Sequence, residues 1–242
     1  MIYRIINVLA LCGVIYVNYL ANAMPINGKT TGELSNQYAN LFVPAGLTFA
    51  IWGLIYLLLM IFSVIQFLPP YKESSVTANL LFTVSCLFNM AWIVAWHYEQ
   101  MGISILIMLG LLATLAIINR QLASENQLLI KAVFGIYLGW ILIATIANIT
   151  TGLVSVNWTG WGISQVSWTL ILITAGVVVA SFNMVKLDNP FLAVAVAWAF
   201  LGISIKRAGD QPVIARLAEV AIVAVLVTTA IVIYRMWKLR TS

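Results

Sequence analysis

The sequence contains very little charge. Only 8% of its 242 residues are Asp, Glu, Lys or Arg, whereas 63% are hydrophobic. Soluble domains carry about 25% charged residues, so this composition excludes a soluble fold and predicts an integral membrane protein. The net charge of +5 does not indicate nucleic-acid binding, because the basic residues lie at segment ends and in short loops, where they contact lipid headgroups.

Acidic residues are absent from the centres of the apolar segments. All seven lie in loops or near segment ends: Glu33, Glu73, Glu99, Glu125, Asp188, Asp210 and Glu219. A proton- or sodium-coupled transporter requires an ionisable group near the middle of the membrane, so the sequence argues against ion-coupled transport. Glu219 lies closest to a segment interior, and Arg216 three residues earlier predicts a local ion pair for it.

Cysteine and histidine are also rare. Cys12 and Cys86 lie inside apolar segments without a CxxC partner, so we interpret both as small core residues. His97, the single histidine, ends the third apolar segment, and we interpret it as a hydrated interfacial anchor, since a metal site needs several converging ligands. No nucleophile, zinc or nucleotide motif is present. We therefore expect no metal, no cofactor and no catalytic residue.

Long apolar segments account for most of the chain. A helix needs about 20 mostly apolar residues to cross the hydrocarbon core, which predicts spans at residues 5–23, 47–68, 76–96, 101–119, 131–149, 163–185, 190–205 and 213–236. The first span ends in Ala21-Asn22-Ala23, which resembles a signal cleavage site. Its length and its asparagines favour retention; cleavage would leave seven spans. The predicted fold is an all-α polytopic membrane bundle.

Basic residues predict the orientation of the bundle. With eight spans, one side holds Arg4, Lys72, Arg120, Lys131, Lys186, Arg235, Lys238 and Arg240, and the other holds only Lys29, Lys206, Arg207 and Arg216. Cytoplasmic loops carry an excess of Lys and Arg. Both termini are therefore predicted to be cytoplasmic, with the long first loop on the outside.

Tryptophan, tyrosine and asparagine recur at helical spacing in three of the segments. These residues are Trp52 and Tyr56, then Asn89 and Trp92, and finally Tyr137, Trp140, Ala144 and Asn148. A lipid-facing surface needs none of them, so they face protein, a ligand or a cavity. One interpretation is that the rings pack the helices together and the asparagines hydrogen-bond between helices. The other is an aromatic pocket for a flat apolar ligand.

Taken in order, these segments resemble the TspO/MBR family of tryptophan-rich sensory proteins and mitochondrial translocator (peripheral benzodiazepine receptor) proteins. The matching elements are Pro44, Ile51-Trp52 and Tyr56 in the second helix, Asn89 and Trp92 in the third, and Tyr137-Leu138, Trp140, Ala144-Thr145 and Asn148 in the fifth. The first loop lacks the family's Trp-Tyr and Lys-Pro-x-Trp-x-Pro-Pro run, and the cholesterol-recognition element expected after Asn148 is missing. About 90 residues extend beyond a five-helix core.

The resemblance implies a five-helix core at residues 1–150, followed by an additional three-helix segment at residues 151–242. It implies a receptor or sensor in the inner cell membrane that binds a tetrapyrrole-like or other flat hydrophobic ligand. A carrier of a small lipophilic solute, not coupled to ions, is the alternative. The expected ligand-binding residues are Pro44, Trp52, Tyr56, Asn89, Trp92, Tyr137, Trp140, Ala144 and Asn148.

The resemblance also bears on partners and activity. The expected partners are the hydrophobic ligand, which is tetrapyrrole-like, a sterol or a lipid, and the membrane lipid around the protein. The resemblance leaves a homodimer open. No nucleic-acid partner is expected. Porphyrin photodegradation is the one activity considered. Because no acid–base pair lies among the aromatic residues to direct proton transfer, we expect binding without turnover.

Overall fold

The structure, a computed structural model, describes residues 1–78 and 80–241. Its helices are α1 (Ile2–Ala23), α2 (Thr31–Gln37), α3 (Ile51–Ile65), α4 (Leu81–His97), α5 (Met101–Leu122), α6 (Leu128–Ser155), α7 (Gln165–Leu187), α8 (Leu192–Arg207) and α9 (Pro212–Thr241). No strand occurs in these described ranges. The predicted all-α membrane bundle is confirmed. Each of the eight predicted spans contains one long helix, and α2 is an additional short helix in the first loop.

Most of the long helices have the length and composition of membrane spans. Six qualify by both criteria: Ile2–Ala23, Gly46–Ile65, Met101–Leu122, Leu128–Ser155, Gln165–Leu187 and Pro212–Lys238. Helix α4 is apolar but has 17 residues, and α8 has 16, which is about 24 Å of helix. Because α8 is flanked by α6, α7 and α9, protein rather than lipid covers much of its surface. The number of membrane crossings stays a prediction.

Helix α6 lies at the centre of the bundle. It contacts α3 and α5 on one side and α7 and α8 on the other, and most of its residues are buried. Gly139 permits the close approach of α8, since a Cβ atom at this position would lie 2.3 Å from the backbone oxygen of Leu192. Helices α7 and α8 therefore pack directly on the core, and α9 packs on α7 and α8. The predicted division at residue 150 lies within the last turns of α6.

Helix α1 is joined to the bundle by its asparagines. Asn7 Nδ2 donates to Gln66 Oε1 at 3.1 Å, and Asn7 Oδ1 accepts a hydrogen bond from Thr83 Oγ1 at 2.9 Å. Asn18 Nδ2 donates to Asn89 Oδ1 at 3.0 Å. Buried amides inside a membrane bundle need such partners. These contacts support α1 as an integral helix of the fold.

Three interpretations of single residues are wrong. His97 is fully buried rather than hydrated, because α2 folds over the end of α4 and brings Thr31 to its ring. Cys12 is exposed on the outer face of α1, whereas Cys86 is buried as expected. Glu219 accepts a hydrogen bond from Ser204 Oγ at 2.9 Å, and no ion pair with Arg216 occurs in the described ranges. The end of α8 packs beside the start of α9 and supplies that hydroxyl.

Candidate functional site

The three aromatic faces predicted from the sequence converge on Trp52. Its ring stacks on Tyr56 at a centroid distance of 5.4 Å and on Trp92 at 6.2 Å. It also meets Tyr137 and Trp140 edge-to-face at 6.0 and 6.1 Å. Offset-stacked and edge-to-face contacts are the arrangements that aromatic rings favour. Helices α3, α4 and α6 therefore contribute to one continuous aromatic cluster.

A small cavity, called here the tryptophan cavity, lies against this cluster. Six of the nine predicted binding residues line it: Pro44, Trp52, Trp92, Trp140, Ala144 and Asn148. Sequence reasoning missed further wall residues, including Thr31, Ser35, Phe49 and Trp96. The cavity volume is about 50 Å³, room for only a few water molecules. A larger ligand would have to displace part of the wall.

The indole N–H groups around this cavity lack acceptors. The Nε1 atoms of Trp92, Trp96 and Trp140 are buried and have no hydrogen-bond partner among the residues that the structure describes. Elsewhere in the chain, Trp168 Nε1 donates to the Gly160 oxygen at 2.9 Å and Trp198 Nε1 to the Thr48 oxygen at 2.8 Å. An unsatisfied buried donor costs about 1–3 kcal/mol, and buried polar groups are normally paired. These three indoles, which lack an acceptor within the protein, all belong to residues that line one cavity.

The other three predicted binding residues do not line the tryptophan cavity. Asn89 Nδ2 donates to the Tyr137 hydroxyl at 3.0 Å, while Asn89 Oδ1 accepts from Asn18. Asn89 and Tyr137 are buried and pair with each other, so their polar groups are already satisfied within the bundle. Tyr56 instead lines a second cavity. That these three residues bind ligand stays a prediction.

The second cavity, called here the amide cleft, lies between α1 and α3. Its volume is about 470 Å³, and its lining includes Asn18, Asn22, Thr30, Gly46, Gly53 and Tyr56. It shares Thr31, Phe49 and Trp52 with the tryptophan cavity. These three residues therefore form the partition between a small aromatic compartment and a larger polar one.

Helix α2 covers the tryptophan cavity. Thr30 caps its N-terminus: Thr30 Oγ1 accepts a hydrogen bond from the Glu33 N–H at 3.3 Å, and the Glu33 carboxylate accepts from the Thr30 N–H at 2.7 Å. This capping box explains why a polar seven-residue segment is helical. From α2, Thr31 and Ser35 reach the cavity wall. The loop that the sequence places outside the membrane thus forms a lid.

Glu99, which follows α4, holds this lid in place. Its carboxylate accepts hydrogen bonds from Lys29 Nζ at 3.0 Å, from Gln37 Nε2 at 3.1 Å and from the Tyr38 hydroxyl. The hydrogen bonds from Tyr38 and Lys29 lower the pKa of Glu99 below its usual value. The hydrogen bond between Tyr38 and Glu99 also raises the pKa of Tyr38. The lid is therefore fastened by an ionised carboxylate outside the membrane span.

Helix α8 holds the chain segment that leads into α3. The Ala45 N–H donates to the Gly202 oxygen at 3.0 Å, and Trp198 Nε1 donates to the Thr48 oxygen. Lys206 Nζ donates to the Pro44 oxygen at 3.3 Å. Pro44 also lines the tryptophan cavity, so α8 positions one of its walls. No pattern in the sequence pointed to this contact.

The comparisons with known proteins agree with this architecture. A family model described as TSPO-like protein matches residues 4–234. The chain belongs to the TSPO-like family. The matched range includes α7, α8 and most of α9, so the C-terminal helices belong to the family's pattern. No curated protein and no solved structure matches the chain. Together with its membrane-length helices, the match identifies a multi-pass membrane protein of TspO type.

Proposed function

We propose that this protein is a membrane receptor or sensor that binds a flat hydrophobic ligand of tetrapyrrole type in the tryptophan cavity. The observation that carries the proposal is the set of unpaired indole N–H groups of Trp92, Trp96 and Trp140. A flat aromatic ligand would stack on these rings and bury apolar area. Acceptor atoms on the ligand would satisfy the donors that the protein leaves unpaired.

Binding requires the site to open. Pockets for small molecules usually have volumes of about 300–1,000 Å³, whereas the tryptophan cavity has about 50 Å³. Either of two movements would supply the additional volume. The α2 lid could move away, or Trp52 and Phe49 could shift toward the amide cleft. Both involve groups at the cavity wall and leave the buried pair of Asn89 and Tyr137 in place.

Titration of the purified protein with protoporphyrin IX, followed by tryptophan fluorescence, tests the proposal. We expect saturable quenching, weakened about tenfold in Trp140→Phe, because about 1.4 kcal/mol of stacking and hydrogen bonding corresponds to a tenfold change in affinity. Trp161→Phe is the matched control, since Trp161 is 79% exposed and lines neither cavity. Quenching of equal affinity in Trp92→Phe, Trp140→Phe and the wild type would show that these rings serve packing only.

A carrier for a small lipophilic solute is the second candidate. The observation that favours it is that the two cavities adjoin on either side of the partition of Thr31, Phe49 and Trp52. Displacement of this partition would join them into one path. Flux measurements in proteoliposomes separate the two functions. Saturable flux without an ion gradient would favour the carrier, whereas binding without flux supports the receptor.

We also propose that binding occurs without chemical turnover. Within the described part of the chain, the lining residues of the two cavities include no acidic residue, lysine or histidine that would direct proton transfer. Illumination of the protein with bound porphyrin should leave the Soret band as stable as that of free porphyrin. Protein-dependent loss of the band, abolished in Trp140→Phe, would instead identify an enzyme.

For the location we propose the inner cell membrane with both termini in the cytoplasm. The excess of Lys and Arg on the terminal side supports this orientation, and it puts the α2 lid on the outer side. Reporter fusions after residues 28 and 72 should give outer and inner signals, respectively. The reverse pattern would contradict the proposed orientation.

A further inference from the structure

The amide cleft and the tryptophan cavity differ in chemical character. The tryptophan cavity is lined mainly by aromatic and aliphatic groups. The cleft brings together two asparagines and two threonines from α1 and the lid: Asn18, Asn22, Thr30 and Thr31. In α1, Asn22 Nδ2 donates to the backbone oxygen of Asn18 at 2.9 Å, so the Asn22 side-chain amide is held at the cleft. The two compartments share the partition of Thr31, Phe49 and Trp52.

Among the described residues, no charged side chain lines either compartment. The nearest basic residue of the lid, Lys29, pairs with Glu99 and Gln37. An ionised group removed from water is costly unless a partner of opposite charge is present. Neutral amides and hydroxyls instead pair well with carbonyl, ester, amide or hydroxyl groups. The cleft thus suits a polar but uncharged substituent.

We propose that the amide cleft is the polar half of the ligand site. The physiological ligand is then amphipathic, with a flat apolar ring system in the tryptophan cavity and an uncharged hydrogen-bonding edge in the cleft. This inference rests on the proposed function, because it assumes that the tryptophan cavity binds a ring system. It adds that the cleft selects ligands by the charge and polarity of one edge.

Gly53 allows the cleft to be filled selectively. It lines the cleft on the helix face of α3, and a Cβ atom built there meets no atom within 4 Å. Leucine at this position would occupy cleft volume without a backbone clash, and it has a higher helix propensity than glycine. Gly102 in the first turn of α5 also has open space around it and lines neither cavity. Gly102→Leu is therefore the matched control.

Three porphyrins with the same ring but different edges test the inference by fluorescence titration. They are etioporphyrin, which carries only alkyl groups, the dimethyl ester of protoporphyrin IX, which is polar and uncharged, and the free dicarboxylic acid. In the wild type and in Gly102→Leu, we expect the ester to bind roughly five- to tenfold more tightly than etioporphyrin, the gain that one hydrogen bond supplies. Gly53→Leu should abolish this difference between the ester and etioporphyrin.

A second variant changes chemistry rather than volume. Thr31→Val keeps the side-chain shape at the partition and removes the hydroxyl, so it should reduce the difference in affinity between the ester and etioporphyrin. Equal affinities of ester and etioporphyrin in the wild type, or an equal loss for all three porphyrins in Gly53→Leu, would overturn the role of the cleft. Tightest binding of the dicarboxylate would overturn the selection for an uncharged edge. If no porphyrin quenches the wild type, the proposed function itself fails.

Discussion

Replacement of Gly202 by alanine tests whether α8 positions the wall of the tryptophan cavity. Gly202 lies where α8 meets the segment before α3, and its oxygen accepts a hydrogen bond from the Ala45 N–H at 3.0 Å. A Cβ atom at Gly202 would lie 1.9 Å from Thr48 Oγ1 and 2.9 Å from both Thr48 Cβ and Cγ2. Rotation of the Thr48 side chain would leave the Cβ contact in place, so the backbones must separate.

The size of the effect follows from these distances. Relief of the Cβ contact requires a shift of about half an ångström, which stretches the hydrogen bond between Ala45 and Gly202 to the limit of useful geometry. Overpacking of this kind costs about 1–3 kcal/mol, and the weakened hydrogen bond adds about 1 kcal/mol. Because Pro44 and Phe49 flank this segment and line the cavity, we also expect porphyrin affinity to fall about tenfold.

Thermal unfolding in detergent and fluorescence titration measure the two consequences together. Gly209→Ala is the control, because a Cβ atom there meets nothing within 4 Å and the site is remote from the cavity. Combining Gly202→Ala with Thr48→Ala removes the closest contact and should recover part of the lost stability. Wild-type stability and affinity in Gly202→Ala alone would refute the idea that α8 holds the wall.

Three further predictions concern the lid, the buried amides and the C-terminal helices. The hydrogen bond from Tyr38 lowers the pKa of Glu99, so the stability that this bond gives is complete above about pH 4.3 and is lost as the pH falls through the lowered pKa. Glu99→Gln should remove that pH dependence from hydrogen exchange in α2. Asn89→Leu should destabilise the protein by about 1–3 kcal/mol in thermal unfolding, because it removes a partner of the buried Tyr137 hydroxyl. Truncation after residue 152 uncovers the face of α6 that α8 covers and should abolish porphyrin quenching.

The long helices could be predicted because the membrane imposes a simple rule on the sequence. A spanning helix needs a sustained apolar run, and every predicted run contains a helix in the structure. Helix α2 could not be predicted in this way, since it is short and polar and is stabilised by a local capping box and by Glu99. Missing α2 led directly to the wrong interpretation of His97, which becomes buried only when α2 folds over it.

The sequence predicted the aromatic residues of the candidate site but not the contacts that position them. Helical spacing shows that Trp52, Trp92 and Trp140 lie on inward faces, but spacing does not show which group each face meets. The contacts between α8 and the cavity wall join residues 150 and 162 positions apart in the chain. Such tertiary contacts leave no periodic signal in a single sequence, so the role of α8 was missed.

The aromatic residues have two interpretations, helix packing and a ligand pocket. Hydrogen-bond partners separate these interpretations better than residue types do. Trp168 and Trp198 have backbone acceptors and serve as ordinary packing residues, whereas Trp92, Trp96 and Trp140 lack them beside one cavity. The side-chain amide of Asn89 also has partners, because it hydrogen-bonds to Asn18 and Tyr137. Each interpretation therefore fits a different part of the same cluster: the asparagine layer joins the helices, and the indole layer is the part for which we propose ligand binding.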